Sequence, residues 1–350
     1  MNYLLCSIFF AAFTILAPLY VSAAKVSKVF IVASYELGHV CGGPQEDGVM
    51  KGLAGQGFIE GADLQIERYY MDSKGKNTTA ESMKEQGANA LEKIKEFAPN
   101  VVVTIDDNAF REVGLKLVGN KDISVVFSGL NGQPEDYGKI IPFIKSRELP
   151  GENVTGVYEK LYVEQSVRVM KAIPSLSGDT VVFITDVSPT GKALSKQFAI
   201  ELKSPLKGLK YRFEQVAGWE EYVELIRKIN DDESVMSIYP VALSLESENG
   251  QTYTAGAIFK WTIANGNKPE MALNYFFSKI GLLGGAAVDF KGMGVLAGEK
   301  AGEILNGVKA GLIPIEDAPE YAIVFNIKRA KQLGITIPIP LLTAADYVYK

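Results

Sequence analysis

The feature that most restricts the fold of this chain is an alternation. Apolar runs of strand length are separated, nearly throughout, by amphipathic stretches of helix length. Val29-Phe30-Ile31-Val32-Ala33 reads as a first strand, Val49 to Phe58 as a helix, and Leu64 to Tyr70 as a second strand. Ala80 to Phe97 has helical periodicity, with Met83, Ala90, Leu91 and Ile94 on one face. The strand Val101–Ile105, a helix from about Ala109 and the strand Ser124–Phe127 follow. Strands joined through helices run parallel, and a parallel sheet must be covered on both faces.

The pattern then restarts. Val163 to Ile173 is helical and ends at Pro174; Val181–Thr185 is a strand and Lys192 to Leu202 a helix. Tyr211–Phe213 is a strand, Trp219 to Ile229 a helix, Val235–Tyr239 a strand, Ala255 to Ala264 a helix and Met271–Tyr275 a strand. Gly129 to Tyr158, rich in Gly, Pro and Asn, reads as a connection between two α/β halves. The tail adds a strand at Tyr321–Asn326 and a helix at Ile327–Leu333. The fold class is therefore α/β, with two doubly wound parallel-sheet domains. A late strand returning to an earlier domain implies several crossovers: residues 25–151 plus 286–318 form one lobe, and 152–285 plus 319–350 the other. Multiple crossovers make a hinge, and the cleft between hinged lobes can close on a ligand.

Leu4 to Leu19 is almost wholly apolar, and Val21-Ser22-Ala23-Ala24 offers small residues suited to cleavage after Ala23 or Ala24. Residues 1–24 thus read as a signal peptide and the mature chain as a periplasmic globular protein. Such cleavage leaves one cysteine, Cys41, so no disulfide can form within the chain. The formal net charge is −5, with the basic residues scattered rather than clustered, which argues against nucleic-acid binding.

Each expected strand end carries polar or aromatic groups, as a ligand cleft requires. The first offers Ser34 and Tyr35, the third Asp106, Asp107 and Asn108, and the fourth Ser128 and Asn131. In the second half, Asp186 follows one strand, Tyr239 ends another, and Tyr275 and Phe276 follow a third. Any single Asp or Asn here, Asn108 and Asp186 included, equally suits a helix N-cap. Neighbouring residues on extended backbone point to opposite sides, so at most one of Asp106 and Asp107 faces the cleft. That one would accept from an ammonium or hydroxyl group, the other serving as a cap or solvated residue. His39 and Cys41 are too few for a usual zinc set, and His39 is the sole histidine available to a catalytic triad. No metal, cofactor or catalytic residue is expected.

Several stretches resemble a known family. Ile123-Ser124-Val125-Val126-Phe127-Ser128 with Asn153-Val154-Thr155-Gly156-Val157 is similar to the "IPVVF… NVTGV" pattern of solute-binding proteins of ABC transporters. Those proteins have the type I periplasmic-binding fold, and this branch includes aromatic amino-acid binders. Asp289 to Gly294, leading into Ala297 to Gly302 and Ile304 to Gly307, resembles the family's glycine-containing helix. Phe325 to Pro338 resembles its closing "xNLKTAKxLGLTIP" segment. The resemblance implies a non-enzymatic, monomeric binder of an amino acid or related small metabolite that serves an ABC permease. A sensory subunit signalling to a membrane histidine kinase is the alternative, and a hydrolase using Asp106 or Asp107 a third reading. The Asp106-Asp107 loop departs from the Thr/Ser-containing loop of the amino-acid binders.

Overall fold

The computed structural model describes residues 26–203, 206–241 and 243–350, so the expected signal peptide lies outside the described residues. The chain opens with β1 (Ser27–Ala33), α1 (Gly42–Gly55), β2 (Leu64–Tyr70), α2 (Ala80–Phe97), β3 (Val101–Ile105), α3 (Asp106–Glu112), β4 (Ser124–Leu130), α4 (Pro134–Ile140) and β5 (Val154–Tyr158). It continues with α5 (Val163–Lys171), β6 (Thr180–Asp186), α6 (Pro189–Glu201), β7 (Lys210–Val216), α7 (Trp219–Asp231) and β8 (Val235–Pro240). A small hairpin of β9 (Leu245–Glu246) and β10 (Thr252–Tyr253) precedes α8 (Ala255–Asn265), α9 (Tyr275–Ile280), β11 (Gly284–Val288) and α10 (Phe290–Leu305). The last elements are β12 (Glu316–Asp317), β13 (Tyr321–Asn326), α11 (Ile327–Gln332), α12 (Ile339–Thr343) and β14 (Tyr347–Tyr349).

The first sheet has six parallel strands in the order β12-β5-β4-β3-β1-β2. The alternation of β1 shows both faces covered: Val29, Ile31 and Ala33 enter one hydrophobic cluster, Phe30 and Val32 another. In the second lobe β7-β6-β8 forms one set, all parallel, and β11-β13-β14 another, in which β11 runs antiparallel to β13 and β14 parallel to it. Bridges from Ile238 to Glu270, Met271 to Gly284 and Asn274 to Val288 join them.

Two expectations need correction. Gly129 to Tyr158 is not merely a connection: it holds the end of β4, α4 and the sheet strand β5. The first crossing consequently follows Tyr158 rather than Gly151, because Val154–Tyr158 hydrogen-bonds to β4. Met271–Tyr275 forms only isolated bridges, and Tyr275 begins α9, whose first turn is capped by the Asn274 side chain accepting from the Phe277 N–H at 3.1 Å.

Two helices of the first lobe meet through glycines. A Cβ added at Gly48 or Gly52 would lie 2.2 Å from the carbonyl oxygen of Lys291 or Val295, and one at Gly298 2.2 Å from that of Val49. Only glycine permits this approach, which seats α1 against α10. The closing motif is also structural. Arg329 donates to buried Glu270 at 3.0 Å and to the Ile263 and Gly266 carbonyls at 2.9 Å, while the Asn326 side chain accepts from the Arg329 N–H at 2.8 Å.

The chain passes between the lobes three times, after β5, after β11 and after β12. Glu201 on α6 holds the first crossing by accepting from the Leu161 N–H at 2.7 Å and the Val163 N–H at 2.9 Å. Tyr162, in the left-handed region at φ 54°, ties the first crossing to the third by donating to the Ala318 carbonyl at 2.6 Å.

Candidate functional site

The carboxyl ends of the first lobe's strands face those of β6 and β8 across the crossings. Lys196 on α6 pairs with Asp136 on α4, the Gln197 amide donates to the Glu159 carbonyl at 2.6 Å, and the Asn274 amide lies 3.8 Å from the Cys41 sulfur. A cavity of about 290 Å³ is bounded by Asn131, Gln133 and Asp136 on one side and Lys192, Lys196 and Gln197 on the other. A larger, shallow recess of about 630 Å³ beside Ile327, Lys331 and Lys350 lies at the opposite end of β13 and β14. Strand-end polar groups of the first lobe converge on the interlobe cleft.

The β3–α3 junction separates two adjacent acids. Asp107 accepts four hydrogen bonds: from the Asn131 N–H and side-chain amide and the Gly132 N–H, each at 3.0 Å, and from the Tyr137 hydroxyl at 2.6 Å. It braces the β4–α4 loop. Asp106 has a positive φ of 67°, a conformation costing a non-glycine residue about 1 kcal/mol or more. Its side chain is 2% exposed and receives one hydrogen bond, from the Gln45 amide at 3.3 Å. Ser128 donates to the Gln45 carbonyl oxygen at 2.7 Å and so orients that amide toward Asp106. Burial, then the Asp107 charge, push the Asp106 carboxyl well above the usual carboxylate range.

Ser34 supplies the cap expected of an acid. Its hydroxyl accepts from the Ala109 N–H and donates to the Ile105 carbonyl, both at 2.8 Å. Asn108 instead donates to Ser73 at 2.9 Å and accepts from Arg111 at 2.6 Å, tying α3 to the segment after β2. Ser34, Asp107, Asn108, Ser128 and Asn131 are thus engaged within the first lobe.

Tyr35 points elsewhere. It is 8% exposed, its ring lies 4.2 Å from that of His39, and the Lys74 ammonium is 5.8 Å from its centroid. Burial, then the charge of Asp106, raise its hydroxyl, with Cys41, Asp107 and Glu159 adding to the effect. The Cys41 thiol is raised by burial and then by Asp106 and Glu159, so it stays protonated. Burial lowers His39.

Sequence reasoning passed over Glu159, Gln45 and Asn274. Glu159 directly follows β5; its N–H donates to the Leu130 carbonyl at 3.1 Å, and the residue is 2% exposed. None of the described residues donates to its carboxylate. Burial, followed by Asp106, Asp107 and Glu201, pushes that acid well up. Recognising β5 would have exposed Glu159 as one more strand-end acid.

In the second lobe the expected residues fall in different surroundings. Asp186 is 4% exposed and held by two segments, accepting from the Ser188 N–H and hydroxyl of its own loop and from the Ser244 N–H after β8, the two N–H bonds at 3.0 Å. Tyr239 is fully buried within a ring cluster, 5.7 Å from Phe198 and 6.0 Å from Phe183, and its hydroxyl has no hydrogen-bond partner among the described residues. Tyr275 is half-buried and stacks on Tyr347 at 5.0 Å near Asp289, while Phe276 packs partly buried against the core. Among the described residues no three His, Cys, Asp or Glu side chains gather as a metal site requires, and no helix is long and apolar enough to cross a membrane.

Solved structures place this geometry in context. A conserved domain protein from Vibrio cholerae aligns with TM-score 0.69 and 22% identity over 93% of this chain and 100% of that one. A domain from Streptococcus pneumonia in complex with L-Trp aligns with TM-score 0.69 and 21% identity, covering 92% and 99%. A ligand-free, open substrate-binding protein with adhesive properties from Clostridium difficile gives 0.68 and 18%, covering 93% and 100%. At these identities the likeness speaks for the fold, which is the type I periplasmic-binding arrangement of two α/β domains. No curated protein sequence matches. The family described as ABC transporter substrate binding protein matches residues 43–349, nearly the whole described chain, and the protein belongs to that family.

Proposed function

We infer that this chain is exported, captures a small molecule between its two lobes by hinge closure and delivers it to an ABC permease. The observation that carries this reading is the placement of Asp106, Tyr35 and Glu159. They are buried polar groups with unused hydrogen-bonding capacity, gathered where two lobes meet beside three chain crossings. A buried, under-satisfied acid costs stability, and a ligand that satisfies it recovers that cost on binding. Contacts already spanning the lobes, between Lys196 and Asp136 and between Asn274 and Cys41, fit a cleft that closes.

In this reading the lobes comprise residues 26–158 with 290–317 and residues 163–288 with 321–350, and residues 1–24 are removed on export. Tyr35, Asp106 and Glu159 touch the ligand from one side, Asn274 and Tyr275 from the other. The remaining strand-end acids and amides hold the loops. The L-Trp in the Streptococcus protein supports a ligand with an aromatic or amine portion.

Mass spectrometry of small molecules released by denaturing the purified protein tests this. One compound per chain, unchanged after prolonged incubation, is expected. Adding it back to stripped protein should reduce the radius of gyration in small-angle scattering. Conversion of the compound on incubation, or binding without contraction, would contradict the reading.

A further inference from the structure

We propose that the cleft selects an organic amine without a carboxylate, its ammonium seated between Asp106 and Glu159 and against Tyr35. This rests on the binding-protein reading and names the ligand class for the same site.

The two carboxylates come from separate segments, one at the end of β3 and one just after β5. With β4 between these strands, their ends lie about 10 Å apart, twice the spacing of neighbouring strands. Side chains reaching in from both ends leave room for one ammonium. Tyr35 is independent evidence that a ligand belongs here. It is more than nine-tenths buried, its hydroxyl has no hydrogen-bond partner among the described residues, and it senses both acids. The Lys74 ammonium already lies 5.8 Å from its ring centroid, so the ring stands in a cation's reach.

Charge balance then distinguishes an amine from an amino acid. Around Tyr35 and Cys41 stand four carboxyl groups, Asp106, Asp107, Glu159 and Glu36, and one ammonium, Lys74, which is exposed. A monocation offsets part of this excess of acid. A zwitterionic amino acid would add a carboxylate beside two others, with only exposed Lys74 to receive it, and a like charge at short range disfavours that arrangement. Because burial favours the protonated acids, amine binding should also expel protons to solvent. The other titratable groups facing the pair are Tyr35, Cys41, Lys74 and Asp107 beside Asp106, and Glu201, Tyr158 and Tyr239 beside Glu159.

The test is calorimetric titration of the stripped full chain with matched pairs: tyramine and L-tyrosine, tryptamine and L-tryptophan, cadaverine and L-lysine. In at least one pair the amine should bind tenfold or more tightly than its amino acid, a difference of about 1.4 kcal/mol. Repeating that titration in buffers of different ionisation enthalpy should show proton release. Asp106→Asn and Glu159→Gln should each weaken amine binding at least tenfold while circular dichroism shows a folded chain; should one variant not fold, the other decides. Amino acids binding as tightly in every pair, or no amine binding at all, would overturn the proposal. Tight amino-acid binding with domain contraction would do so while leaving the binding-protein reading intact.

Discussion

Asp106 and Asp186 are both strand-end acids, each at the carboxyl end of a parallel strand in its own lobe, and each is almost completely buried. Their surroundings differ. The β6–α6 loop gives Asp186 two donors from Ser188 and a third from the Ser244 N–H, so its charge is spent on holding two segments together. The β3–α3 loop gives Asp106 a single, long bond from Gln45 at 3.3 Å and forces its backbone to a φ of 67°. The donors near that loop, from Asn131, Gly132 and Tyr137, all turn to Asp107. A strand-end acid therefore becomes available to a ligand when its own loop leaves it short of donors.

The comparison breaks most visibly in stability. Asp186→Ala and Asp107→Ala each remove several charge-assisted bonds and should lower unfolding free energy by about 2–4 kcal/mol, measured by urea denaturation. Asp106→Asn should do the opposite. It removes a buried acid with one weak partner, so the stripped variant should melt at or above the wild-type temperature at pH 7, while affinity for the released compound falls tenfold or more. A loss of stability as large as that of Asp186→Ala would erase the distinction.

A smaller effect appears with pH. Asp106 and Glu159 have folded-state values raised above their unfolded ones, so the protonated acids stabilise the fold. That contribution is present below the usual carboxylate range and declines as pH rises toward the raised values. As pH rises from about 4, stripped wild-type protein should lose stability more steeply than Asp106→Asn, followed by urea midpoints at successive pH values. The smallest effect belongs to the surface pair Lys196–Asp136. Lys196→Ala should cost under about 1 kcal/mol and change ligand affinity only a few-fold, through the open–closed balance.

The fold was legible because β-strand and helix periods recur cleanly. Leu64–Tyr70, Ala80–Phe97 and Val101–Ile105 have the boundaries their apolar patterns indicate. β5 was obscured because Asn153, Gly151 and Pro150 flank it and Gly156 interrupts it, a composition that reads as loop. The site was only partly legible. Sequence spacing identifies Asp106 and Tyr35 as strand-end groups but cannot tell them from Asp186, because the distinction lies in donors brought from 24 and 25 residues away by Asn131 and Gly132. Glu159 was hidden with β5. Asn274 was hidden because a run that looks like a strand ends as a helix cap facing Cys41 of the other lobe.

The most direct measurement is native mass spectrometry of the full chain purified beside its Asp106→Asn and Asp186→Asn variants, each scored for the bound small molecule. If Asp106 is the acid left for the ligand and Asp186 belongs to the scaffold, wild type and folded Asp186→Asn carry the compound, and Asp106→Asn does not. Equal occupancy in Asp106→Asn and wild type would contradict this account.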